Sequence, residues 1–101
     1  MVSSRVLVWD KIALKHLKEI YDYYKNQNNL DFAVEIKNTI LKTAEDLISN
    51  PYLYEQDRFK IENDDSFRAF EKLGYRISYK IAENQIRILR LRHTSREPVK
   101  Y

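Results

Sequence analysis

Two hydrophobic periods divide this chain, and their order limits the fold more than any other feature. From Asp10 to Ser49 apolar residues recur every three to four positions, whereas from Phe67 to Arg92 they recur mostly every second position. Ala13, Leu14, Leu17, Ile20, Tyr21 and Tyr24 make one helical stripe, and Ala33, Ile36, Ile40, Ala44 and Leu47 a second. The spacing predicts helices over residues 10–25 and 31–49. Asp10 is the expected N-cap of the first, and the polar run 26–29 breaks it. Asn50-Pro51 stops the second, because a proline disfavours helical backbone in the residue before it. A short polar turn between two amphipathic helices makes them an antiparallel pair.

The flanking segments read as strands. Arg5–Trp9 is a short one. Phe67–Leu73 is another, and Gly74, the only glycine, marks a turn or bulge after it. Tyr75, Ile77, Tyr79 and Ile81 then alternate with Arg76, Ser78 and Lys80, so the tyrosines belong to a buried face. A turn at 83–85 leads to Ile86–Arg92, where strict alternation slips at Leu89. A bulge there would split Arg87, Arg90 and Arg92 between two faces. The expected fold is a single α+β domain over residues 1–101: an N-terminal strand, an antiparallel helical hairpin, then a three-stranded antiparallel meander. Its helices cover one face of the sheet and its cations the other. Residues 51–66 form a long loop, part of which could be a further extended segment.

The chain has no cysteine, which excludes disulfide and thiol chemistry and suits a cytoplasmic protein. His16 and His93 lack partners at metal-ligand spacing, and no motif calls for a cofactor. His16 reads as a helix-surface residue. No stretch approaches a membrane span, and the apolar run after Arg5 is too brief for a signal peptide. Charge is the stronger pointer. Residues 67–101 hold nine bases against three acids, a net +6, whereas residues 1–66 carry −3. Six of the eight arginines lie in the later segment. Arginine's planar fork donates paired hydrogen bonds to phosphate or carboxylate, so this asymmetry points to an anionic partner.

The ordered set Tyr75-Arg76-Ile77-Ser78-Tyr79-Lys80-Ile81, Ile86-Arg87-Ile88-Leu89-Arg90-Leu91-Arg92-His93 and Arg96-Glu97-Pro98 resembles the RelE/ParE superfamily of bacterial toxins. The strand ending in Trp9, the helical hairpin and Asn50-Pro51-Tyr52 add to the likeness, which covers nearly the whole chain. The resemblance implies a growth-inhibiting toxin of a type II toxin–antitoxin system, of the kind tied to plasmid stabilisation. A cognate antitoxin would cover its basic face or its helical hairpin. The Ile-Leu-Arg-Leu-Arg-His run favours the ParE-like mode, in which DNA gyrase is bound and blocked without cleavage.

The alternative is the RelE-like mode, a metal-independent endoribonuclease that cuts messenger RNA on the ribosome. That mode would make Arg76 and Arg96 phosphate contacts, His93 a catalytic base or acid, and Tyr101 a stacking or proton-transfer group. Glu55 or Glu62 would be the carboxylate within reach. RelE-like members also carry two lysines on the strand before Arg76; here those positions are Phe67 and Ala69, with Arg68 and Lys72 out of phase. In either mode Arg68, Lys72, Lys80, Arg90 and Arg92 are the expected target-binding cations. A third possibility is a non-toxic binding module with the same fold. The plainer expectations are an ion pair of Arg76 with Glu71 or Glu97, a polar strand cap at His93, and a frayed end at Tyr101.

Overall fold

The computed structural model describes residues 5–96 and 99–101. Its elements run β1 (Val6–Trp9), α1 (Lys11–Asn26), α2 (Leu30–Asp46), β2 (Phe67–Lys72), β3 (Tyr75–Ile81) and β4 (Gln85–His93). This is the expected α+β order. Among the described residues no helix is long and apolar enough to cross a membrane.

The four strands form one sheet in the order β1-β4-β3-β2. The last three are an antiparallel meander, and β1 closes the other side parallel to β4, pairing Val6–Trp9 with Gln85–Ile88. The arginine-rich strand is therefore an inner one. Parallel neighbours need a crossover, and here the whole α1–α2 hairpin and β2–β3 lie between them in sequence. The β2–β3 turn is Leu73-Gly74, both at positive φ (50° and 86°), the two-residue geometry that matches strand twist. Leu73 thus belongs to the turn rather than to the strand before it.

The helices pack on one sheet face. All five stripe residues of the second helix, Ala33, Ile36, Ile40, Ala44 and Leu47, are buried, the last four in one core cluster with Ile77, Tyr79, Ile86 and Ile88. The first helix buries a narrower stripe, Ala13, Leu17 and Ile20, and leaves Leu14 half-exposed. Tyr75 and Tyr79 are core residues, as their alternation requires; the Tyr79 hydroxyl donates to the Pro51 carbonyl at 2.9 Å. Regular helix ends at Asp46 rather than Ser49, because the Leu47 and Ile48 amides bond three residues back and tighten the last turn. Asp10 occupies the cap position of α1 without a side-chain capping bond; its carboxylate pairs with Arg87 instead.

One expectation about β4 is overturned. The register with β3 shifts between Ser78 and Tyr79: Ser78 faces Arg90, and Tyr79 faces Ile88. Leu89 is the extra residue. Because the bulge adds one residue, it restores the alternation that the sequence breaks. Ile86, Ile88 and Leu91 all point at the helices, and Arg87, Arg90 and Arg92 all share the other face with Lys80, Ser78 and Arg76. The row is united, not split.

Candidate functional site

The sheet face away from the helices carries Arg76, Lys80, Arg87, Arg90 and Arg92 in adjacent register positions. The loop 51–66 roofs part of it. This loop contains no strand, only an isolated bridge from Gln56 to Arg68, and it is shaped by two side chains. Asn63 closes its tip: its Oδ1 accepts from the amides of Asp65 (3.0 Å) and Phe67 (3.2 Å), while its Nδ2 donates to the Phe67 carbonyl at 2.8 Å. Such side-chain turns are what asparagine does best where the chain must reverse. Asp57 turns inward.

Asp57 is the centre of the face. Its side chain is 0% exposed, and the facing Arg76 side chain is 18% exposed. Its Oδ1 accepts from Arg76 Nη2 at 3.0 Å and from the Phe59 amide at 3.0 Å. Its Oδ2 accepts from the Tyr101 hydroxyl at 2.6 Å. Burial opposes ionisation of Asp57, but the Tyr101, Arg76 and Phe59 hydrogen bonds outweigh it and hold the carboxyl below its ordinary value. Burial and then the Asp57 carboxylate push the Tyr101 phenol up, so it stays a neutral donor. The second Arg76 nitrogen, Nη1, pairs with Glu71 at 3.2 Å. The expected Glu71 pair is thus present but secondary. Glu97 and Pro98 lie outside the described residues.

Tyr101 is not a frayed end. Its amide donates to the Phe59 carbonyl at 3.0 Å, and its carbonyl accepts from the Ile61 amide at 2.6 Å. Its ring lies under the Arg90 guanidinium at 4.0 Å and near the Lys60 ammonium at 5.4 Å. Arg90 also donates to the Val99 carbonyl at 2.8 Å. Residues 99–101 therefore lie as a strap over β3 and β4, with Lys60 and Lys80 stacked on Phe67 beside them.

The other expected residues lie elsewhere. His93 faces Tyr75, in T-shaped contact at 4.9 Å, and therefore sits on the helix side of the sheet. With Arg96, Arg92, Tyr23 and His16 it borders a cleft of about 660 Å³ between α1 and the end of β4. The Ser95 amide donates to His93 Nδ1 at 3.0 Å, so in the neutral ring the proton is on Nε2. Arg68 and Lys72 also fall on the helix side, opposite Tyr79 and Tyr75. Arg68 is consumed there by the Tyr54 carbonyl (2.8 Å) and Asp65 (2.6 Å). Their expected place among the target-binding cations of the outer face is thus corrected, because the strand phase that sets them opposite the buried tyrosines turns them to the helix side.

Two groups escaped the sequence reading. Asp57 is the carboxylate that meets Arg76, whereas Glu55 and Glu62 are exposed. His16 is half-buried at the cleft rather than free on the helix surface: its Nδ1 accepts the Leu91 amide at 3.1 Å, past the point where β1 stops covering β4. Burial lowers its pKa, with Lys15, Arg90 and Arg92 acting in the same direction and Glu19 against them.

A family profile described as "ParE toxin of type II toxin-antitoxin system, parDE" matches residues 7–98. Solved structures share the fold. A chain of the chromosomal ParDE toxin–antitoxin system from P. aeruginosa superposes with TM-score 0.73 at 19% identity, covering 91% of this chain and 98% of that one. A chain of the RelBE2 toxin–antitoxin complex from Mycobacterium tuberculosis gives 0.63 at 15% identity, covering 92% and 94%. The isolated E. coli RelE toxin gives 0.64 at 13% identity, covering 93% and 88%. A search of curated protein sequences finds no match. With nearly its whole length matched by that profile, the chain belongs to the ParE toxin family of type II toxin–antitoxin systems.

Proposed function

We propose that this ParE-type toxin arrests growth by binding DNA gyrase through the cationic outer face of its sheet. One observation carries the choice of mode. The four residues that a RelE-like nuclease would need together stand in two places. Arg76 and Tyr101 are tied to Asp57 on the outer face, while His93 and Arg96 border the cleft on the helix side. Acid–base cleavage of RNA needs its base, acid and phosphate contact within hydrogen-bond reach of one phosphodiester. A binding inhibitor needs only a surface, and Lys80, Arg90 and Arg92 offer one. Its partner in the cell is a cognate antitoxin, whose acidic segment would neutralise that surface, and both would meet in the cytoplasm.

Purified toxin should block gyrase-driven supercoiling of a relaxed plasmid in a dose-dependent way, and leave messenger RNA intact in a translating extract. Normal supercoiling together with codon-biased cuts in the message would instead establish the ribonuclease. If neither occurs and induced cells grow normally, the chain is a non-toxic module.

A further inference from the structure

We propose that Asp57 is a positioning residue of the target-contact face: it sets where the Tyr101 ring stands and, through that ring, where the Arg90 and Lys60 charges are presented. This rests on the outer face being the surface that meets the target. Asp57 is itself fixed. Its amide donates to the Phe67 carbonyl at 2.8 Å, and its carbonyl accepts from the Lys60 amide at 3.1 Å. A carboxylate anchored to β2 in this way reaches across to β3 through Arg76 and to the strap through the Tyr101 hydroxyl. Without it the strap keeps its two backbone bonds to Phe59 and Ile61, the Arg90 bond to the Val99 carbonyl and the edge contact of its ring with Phe67, none of which fixes the Tyr101 hydroxyl.

The charge pattern favours a presenting role over plain adhesion. A cluster serving only to hold the loop would match its charges. Here Arg76, Arg90, Arg92 and Lys80 outnumber the acids near them among the described residues: Asp57 and Glu71 pair with Arg76, Asp64 lies near Lys80, and the buried Nε atoms of Arg76 and Arg92 have no hydrogen-bond partner. Surplus cation held in fixed geometry suits an acidic protein surface, because charges arranged in advance cost the least to dock. The ring beneath Arg90 limits the freedom of its guanidinium without neutralising it.

Two substitutions test this. Asp57→Asn keeps the size and removes the charge, and Tyr101→Phe removes only the hydroxyl that Asp57 holds. Each is assayed below its own melting transition, where it is fully folded. Loss of one charge-assisted hydrogen bond should raise the toxin concentration needed for half-inhibition of gyrase roughly tenfold in each variant. The double variant should be no weaker than Asp57→Asn alone, since the hydrogen bond that Tyr101→Phe removes is the one Asp57 already controls. Faster exchange of the Ile61 and Tyr101 amides should accompany the loss. Wild-type potency in fully folded Asp57→Asn would reduce Asp57 to a structural clamp and overturn the proposal. If the wild-type protein leaves gyrase untouched, the target assignment has failed instead. Growth arrest on induction then becomes the readout, and undiminished arrest by Asp57→Asn overturns the positioning role.

Discussion

At the scale of single residues, two polar side chains, the buried Asp57 and the half-buried His16, hold distant parts of this chain together. Asp57 joins positions 19 and 44 residues away, Arg76 and Tyr101. Removing one partner of a buried ion pair costs more than the pair contributes, because the remaining charge stays desolvated. Asp57→Ala should therefore destabilise the fold by about 3 kcal/mol, from the range for broken buried pairs, as measured by urea unfolding. His16 works differently, as a neutral acceptor for the Leu91 amide. Its folded pKa lies below the ordinary 6.5, so between those two values the unfolded state binds more protons. The His16 contribution is complete above pH 6.5 and is lost as pH falls through the folded value. Urea unfolding at about pH 7.5 and pH 5.5 should give a stability decrease that is smaller in His16→Gln, whose amide accepts the same bond without titrating.

At the scale of elements, the bulge at Leu89 decides which side chains share a face. Deleting Leu89 should convert β4 to a regular strand while leaving Arg90 and Arg92 outside and Leu91 inside. The deletion should fold, with less than about 2 kcal/mol lost, mostly the packing of one half-buried leucine. Deleting Leu91 instead turns Arg92 toward the core and should give an unfolded or aggregated protein by circular dichroism. The contrast marks what was legible in the sequence. The slip at Leu89 is visible as a break in alternation, but its effect depends on the partner strand, which the sequence does not display. Helix and strand positions follow from period alone, so both stripes and the meander were readable. The parallel pairing of β1 with β4 was not, because nothing local in Val6–Trp9 specifies a neighbour 79 residues on. Asp57 was hidden for a similar reason. Between Gln56 and Arg58 it looks like any loop acid, and only the approach of β3 and the strap makes it the buried centre.

At the scale of the whole molecule, two surfaces are candidates for contact with the proposed target. One is the outer sheet face, with its surplus of cations; the other is the helical hairpin, where Ile12, Leu14 and Val34 are 41–50% exposed. They differ in how association should respond to salt. Docking through apolar helix residues gains from water release, which moderate salt barely changes. Docking through Lys80, Arg90 and Arg92 is steered by long-range attraction, which mobile ions screen. Raising ionic strength from about 0.03 to 0.3 M shortens the Debye length roughly threefold. Association with gyrase, the proposed target, should then slow by about an order of magnitude while dissociation changes little, as rim and steering charges act mainly on the on-rate. Arg92→Glu should slow association further and steepen no dissociation phase, whereas Leu14→Ala should leave both rates near wild type. Stopped-flow or surface-based kinetics separates the two faces. A salt-independent on-rate, with Leu14→Ala crippling binding, would move the contact surface to the hairpin and leave the arginine row to the antitoxin.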